Sequence, residues 1–310
     1  MNRRAFLKKA GTGAALAMAG GFPLEALAAP SVQRLTILHT NDVHSRLEPF
    51  PMDGGKYEGQ GGVAARAALI KQIRAEQEHV LLFDAGDIFQ GTPYFNLYKG
   101  EPEIKALSLM GYDAVTMGNH DFDAGVEGFA KQLPHANFPV LTANYDFNHT
   151  ALEGKTLPYT TIKKGGLKIG VFGLGVELRG LVSDNCFGNT KYNDPLPVAK
   201  QISERLKKDE KCDMVICLSH LGYEYENNKV SDKIIAAETE YIDLVIGGHT
   251  HTFLDAPTVV KNKRGTDVLV NQVGWAGLRL GRIDYEFGST KTTKKPKSQS
   301  VIVGKQTRGG

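Results

Sequence analysis

Apolar residues recur along this chain in short runs, and most of these runs stop on a cluster of polar residues. The first, Leu35-Thr36-Ile37-Leu38, is followed by "HTNDVH". A run this short, rich in branched residues, reads as a strand buried on both faces. "VLLFDAG", "DAVTMG", "FPVLTANY", "CDMVICLSH" and "IDLVIGGHT" predict further strands. Helical periods lie between them. "GGVAARAALIKQIRAEQEH" places Val63, Ala67, Ile70 and Ile73 along one face. "EPEIKALSLMG" predicts a short helix ending at Gly111, and "VEGFAKQL", "DPLPVAKQISERLKKDEK" and "VSDKIIAAET" predict others. "YTTIKKGGLKIGVFGLG" reads as a hairpin turning at Gly165-Gly166. "DVLVNQVGWAGLRLGRIDYEFG" is strand-rich with no helix inside it. The alternation predicts an α/β sandwich around a mixed sheet, and no internal repeat is visible.

The two ends differ from the body. Residues 1–29 are expected to be an export signal outside the fold. Arg3-Arg4 precede a weakly apolar, Gly/Ala-rich run from Ala10 to Leu24, and "ALAAP" offers cleavage after Ala28. The paired arginines resemble a twin-arginine signal, which implies a periplasmic protein. The run is too short and too rich in Gly for a good bilayer span, and no cysteine stands at the cleavage site. No stable membrane anchor is expected.

The chain carries 37 Lys+Arg against 34 Asp+Glu, a net +3 that resides entirely in residues 1–29. Residues 291–310 hold a local +6, so residues 30–290 carry a net −6. An acidic body does not suit a nucleic-acid polymer as partner. The basic stretch 291–310 reads as a solvated, frayed tail behind one large domain at 30–290. Three cysteines without a C-x-x-C spacing give no support for a thiolate zinc site. Cys217 reads as core packing, and pairing among Cys186, Cys212 and Cys217 stays open.

Chemistry enters through five loops, each behind a predicted strand: "NDVH", "GDIFQGTPY", "GNHDFDAG", "SHLGYE" and "GGHTHTFL". In open α/β sheets, ligands collect outside the carboxyl ends of strands. Imidazole nitrogen suits zinc, manganese and iron, and Asp or Asn oxygen suits harder ions. The five loops are therefore expected to converge on metal. No G-x-S-x-G elbow supports a serine nucleophile.

The order D-x-H, G-D-x-x-Q-G-T, G-N-H-D-x-D, S-H-L-G and G-G-H-T-H resembles the calcineurin-like metallophosphoesterases, and within them the catalytic domain of the 5′-nucleotidases. The resemblance runs from about Leu35 to Phe287. It implies a four-layer α/β/β/α sandwich with mixed sheets and two divalent ions, drawn from Zn, Mn, Fe, Co or Ca. Asp42, His44, Asp87 and His251 would hold the first ion. Asp87, Asn119, His220 and His249 would hold the second, with Asp87 as the bridge. His120 would be the catalytic histidine, paired with Asp123. The implied reaction is hydrolysis of phosphate monoesters, nucleotides foremost, by water activated on the metal pair.

Alternatives are a phosphodiesterase, including one acting on cyclic nucleotides, and a non-catalytic ligand-binding subunit. His39, His79, His135 and His149 match no ligand position, and His39 reads as support or packing. Asp121 stands where Glu is common and is no ligand, so this departure is expected to be tolerated. Full 5′-nucleotidases continue into a second, substrate-binding domain. A separately encoded partner of that kind is therefore an expectation, with Val301-Ile302-Val303 as a strand that could add to it.

Overall fold

The computed structural model describes residues 33–288 and 296–304. The expected export signal and residues 305–310 lie outside them. Two six-stranded sheets stack face to face. The first takes β1 (Gln33–Thr40), β2 (Val80–Asp84), β3 (Ala114–Thr116), β4 (Val140–Leu141), β13 (Arg279–Phe287) and β14 (Lys297–Ile302). Its spatial order is β14-β13-β1-β2-β3-β4. The second takes β6 (Tyr159–Lys164), β7 (Leu167–Gly175), β9 (Met214–His220), β10 (Leu244–Gly247), β11 (Thr258–Lys261) and β12 (Asp267–Asn271), in the order β11-β12-β10-β9-β7-β6. A small ribbon joins β5 (Tyr145–Asp146) to β8 (Lys191–Tyr192). Strands β1 to β4 run parallel, as do β7, β9, β10 and β12; β6 and β11 are antiparallel edge strands of the second sheet, and β13 runs antiparallel between β1 and the edge strand β14 in the first.

Period-two alternation of the central strands explains the layering. Leu35, Ile37, Leu81 and Phe83 of the first sheet meet Ile169, Val171, Ile216, Leu218, Leu244 and Ile246 of the second in a dry inter-sheet core. Their neighbours Leu38, Leu82 and Val115 face outward. There they pack on helices α1 (Val63–Glu76), α2 (Pro93–Tyr98), α3 (Glu101–Met110) and α4 (Gly125–Gln132). On the far side, Phe172, Val215, Cys217 and Val245 pack on α6 (Pro195–Lys208) and α7 (Asp232–Glu238), while the short α5 (Asp184–Phe187) lies at the first helical layer. The result is the four-layer α/β/β/α sandwich.

Local chemistry sets the element ends. Helix α3 begins with Glu101 and Glu103 in its first turn, favourable at the positive end of the macrodipole, and stops at Gly111 with φ 70°. Gly165 and Gly166, with φ 56° and 74°, make the tight β6–β7 hairpin. Helix α1 buries Ile70 and Ile73 as its period predicts, but also Arg66. Cys217 is core, and all three thiols are free. No helix among the described residues is long and apolar enough to cross a membrane.

The frayed tail needs correction. Lys297–Ile302 pairs with β13 in register from Arg279↔Ile302 to Asp284↔Lys297, and Val303 is fully buried. The segment covers the otherwise open edge of β13, and it seats Val303 in the core between sheet and helices. Val301-Ile302-Val303 is thus engaged within its own sheet, which overturns its reading as a strand held out for a partner.

Candidate active site

The parallel strands deliver their polar loops to one edge of the sandwich. Asp42 and His44 follow β1, Asp87 follows β2, and Asn119, His120 and Asp123 follow β3. His220 ends β9, and His249 and His251 follow β10. The first three loops belong to one sheet and the last two to the other, so the site spans the seam between sheets.

Donor atoms of Asp42, His44, Asp87 and His251 lie within 4.8 Å of one another, and so do those of Asp87, His220 and His249. Asp87 belongs to both groups. In the first, His44 Nε2 faces His251 Nε2 at 2.9 Å and Asp42 Oδ1 lies 3.4 Å from His251 Nε2. In the second, His220 Nε2 stands 3.1 Å from Asp87 Oδ2, and Asn119 Oδ1 is 2.8 Å from His249 Nδ1.

Several features fit these groups to cations. His220 Nδ1 donates to Ala85 O at 2.7 Å, which leaves the fully buried Nε2, 3.1 Å from Asp87 Oδ2, as the nitrogen offered to a cation. Burial lowers His44, and burial followed by the His220 charge lowers His249 to about 4, so both are neutral imidazoles, the ligating form. Burial also opposes charging of His220, but Asp87 and Asp42 outweigh it and hold that histidine up at about 10. A proton there occupies the place a cation would take. Space is kept by glycine: a Cβ at Gly118 would collide with Asp87 Oδ1 and His220 Cε1.

Five of the seven candidate ligands have left-handed backbone: Asp42, His44, Asp87, His249 and His251, with φ between 47° and 74°. Such residues cost on the order of 1 kcal/mol or more each, and persist where surroundings over-determine them. The surroundings here are polar. Asn41 accepts from Val273 N and donates to Gly274 O and Asp42 Oδ2. Gln272 accepts from Thr252 N and Thr250 Oγ1 and donates to Gly248 O, bracing the His249–His251 loop. Asp42 accepts from His249 N through both oxygens, at 3.0 and 3.1 Å.

His120 lies beside the groups rather than in them. Its Nδ1–H donates to Asp123 Oδ2 at 2.8 Å, its ring sits edge-on to His44 with centroids 5.3 Å apart, and its N–H donates to Asp87 Oδ1. The bond to Asp123 raises its pKa against partial burial. Trp275 flanks the site, parallel to His251 at 5.9 Å.

All nine residues singled out in the sequence therefore gather at one edge. His39, read as support or packing, is buried against Asn271 of the other sheet, with Nε2 2.8 Å from Asn271 Nδ2. His79, His135 and His149 belong to neither group. Asn41, Asp121 and Gln272 carry contacts that no motif reading foresaw. Asn41 and Asp121 stand inside quoted motifs, and that position was the available signal.

Residues 35–253 match the calcineurin-like phosphoesterase family, and the chain belongs to it. A 5′-nucleotidase of Vibrio cholerae is 37% identical over 302 residues, covering 88% of this chain and 52% of that protein. A snake venom 5′-nucleotidase of Gloydius brevicauda is 35% identical over 291 residues, covering 87% and 48%. The crystal structure of a 5′-nucleotidase precursor from Thermus thermophilus matches with a TM-score of 0.80 at 32% identity, covering 87% of this chain and 55% of that one. The chain spans about half the length of the curated relatives it matches.

Proposed function

We propose that the chain hydrolyses phosphate monoesters, nucleotides foremost, with two divalent cations at the paired groups. The observation that carries this is Asp87, one carboxylate shared by both donor sets beside the His120–Asp123 pair. Asp42, His44, Asp87 and His251 are assigned to one cation; Asp87, Asn119, His220 and His249 to the other. Two ions held there would clamp the phosphoryl group, neutralise its charge and lower the pKa of a bound water. The imidazole-rich donors favour Zn, Mn, Fe or Co over Ca, which prefers an all-oxygen shell.

The chain's own residues supply geometry and a proton. The left-handed loops aim the donors, and burial keeps His44 and His249 unprotonated. Asp123 fixes the His120 ring and its Nδ1 proton, leaving Nε2 to face the phosphoryl oxygens or the leaving oxygen. Relatives named as 5′-nucleotidases support nucleotides as substrates. Because those relatives are about twice as long, we infer that groups outside residues 33–304, in the same or a separate chain, add nucleoside contacts.

The test is phosphate release from adenosine 5′-monophosphate, nitrophenyl phosphate and bis-nitrophenyl phosphate, with manganese and with chelator. Monoester cleavage that the chelator abolishes is expected. Preference for the diester makes the chain a phosphodiesterase, and no turnover with both ions bound leaves a ligand-binding role. We further propose export through the twin-arginine route to the periplasm. Changing Arg3 and Arg4 together to Lys should retain uncut protein in the cytoplasm, and normal export of that variant refutes the route.

A further inference from the structure

Asp121 belongs to neither donor set, yet its side chain is wholly buried among them. Its carboxylate accepts four backbone N–H groups. Oδ2 takes Asp87 N at 3.0 Å and Gly118 N at 2.8 Å; Oδ1 takes Ile88 N at 2.9 Å and Phe89 N at 3.1 Å. Three of these donors lie in the loop after β2 and one in the loop after β3. A single side chain therefore ties the two loops together.

Asp87 returns the contact, because its Oδ1 accepts from His120 N at 2.8 Å. Each carboxylate caps the other's loop. The latch extends further. The carbonyls of Gly86, Asp87 and Ile88 accept from the N–H groups of Asp42, His44 and Ser45, at 2.9 to 3.0 Å. The Asp42–His44 loop is thus hung on the loop that Asp121 holds. Three successive amides, at Asp87, Ile88 and Phe89, find their acceptor in this one side chain. Without it they would be buried facing nothing.

Both Asp121 oxygens are thus fully engaged by N–H donors, two to each oxygen.

We propose that Asp121 is a positioning residue: by clasping the Asp87 and Gly118–Asn119 loops, it sets their ligand geometry before any cation binds, and so sets cation affinity. This rests on the two-cation reading above. It is compatible with Asp in place of Glu being tolerated at position 121, but for a different reason than its being no ligand. What the clasp needs is two acceptor oxygens, which Asn lacks and Glu keeps.

The test uses the full chain stripped of metal, with Mn²⁺ as probe. Calorimetric titration of the wild type should register two ions. Asp121→Asn, shown folded by circular dichroism, should bind them about 10- to 100-fold more weakly, the range found when a partner of a metal ligand is lost. Asp121→Glu should recover most of that affinity. In metal-free wild type, the amides of Asp87, Ile88, Phe89 and Gly118 should exchange hydrogen slowly, with the core strands. A folded Asp121→Asn with wild-type affinity overturns the proposal, as does rapid exchange of those amides. If the variant does not fold, the exchange measurement decides. A wild type that binds no Mn²⁺ refutes the two-cation reading instead.

Discussion

His39 and His220 are both fully buried, one in each sheet, yet their chemistry is opposite. Burial alone pushes His39 down to about 3, whereas Asp87 and Asp42 overcome burial and hold His220 up at about 10. His39 is a neutral packing group whose ring fills the space left by Gly281, where any Cβ would strike it. Its folded pKa lies below the unfolded value of about 6.5. The stability tied to its neutrality is therefore complete above pH 6.5 and lost as pH falls toward 3, at about 1.4 kcal/mol per unit. Between pH 6.5 and 5, wild type should lose about 2 kcal/mol more than His39→Gln, read from urea unfolding of both proteins in chelator. Equal losses would place His39 in a solvated setting. His120 is the opposite case, a half-exposed ring beside the donors. His120→Asn should retain both ions while turnover falls about 10²-fold or more. Elemental analysis beside the kinetics separates the roles, since lost metal would make it a ligand.

Elements were legible where the local signal is strong. The Gly165-Gly166 hairpin, the stop of α3 at Gly111 and the continuous apolar runs of β2 and β9 follow from backbone preference and from burial on both faces. Strand β14 was not legible. "KSQSVI" is polar, and what makes it a strand is the open edge of β13 beside it. Its anchor is Val303, buried between the first sheet and its helices. Val303→Ala should cost about 2 kcal/mol, from two methyl groups' transfer and the cavity left behind. Lys297→Ala on the exposed side should be near neutral. Thermal unfolding of the two variants tests this, and equal midpoints would return the segment to the status of a loose tail.

At the scale of the molecule, the site joins the two sheets. Asp42, Asp87 and Asn119 come from the first sheet, and His220, His249 and His251 from the second. Ions bound there would staple the sandwich at one edge, and ligands that bind only the folded state raise stability by mass action, about 2.7 kcal/mol at a hundredfold excess over Kd. Mn²⁺ should therefore raise the unfolding temperature of the metal-free chain. Asp87→Asn should abolish nearly all of that rise and His44→Ala only part, because Asp87 belongs to both groups and His44 to one. A rise undiminished in Asp87→Asn would remove the shared carboxylate. The sequence by itself determined the layered α/β plan and the residue types offered at each strand end, because period and turn chemistry act over a few neighbours. It also carried the motif order whose resemblance pointed to Asp87 as the bridge. Only the tertiary structure decided that Asp121 clasps the loops, that Gln272 braces the histidine loop and that β14 closes an edge. Each of those depends on backbone donors or on an open strand brought together from distant parts of the chain, and neither leaves a mark in local composition.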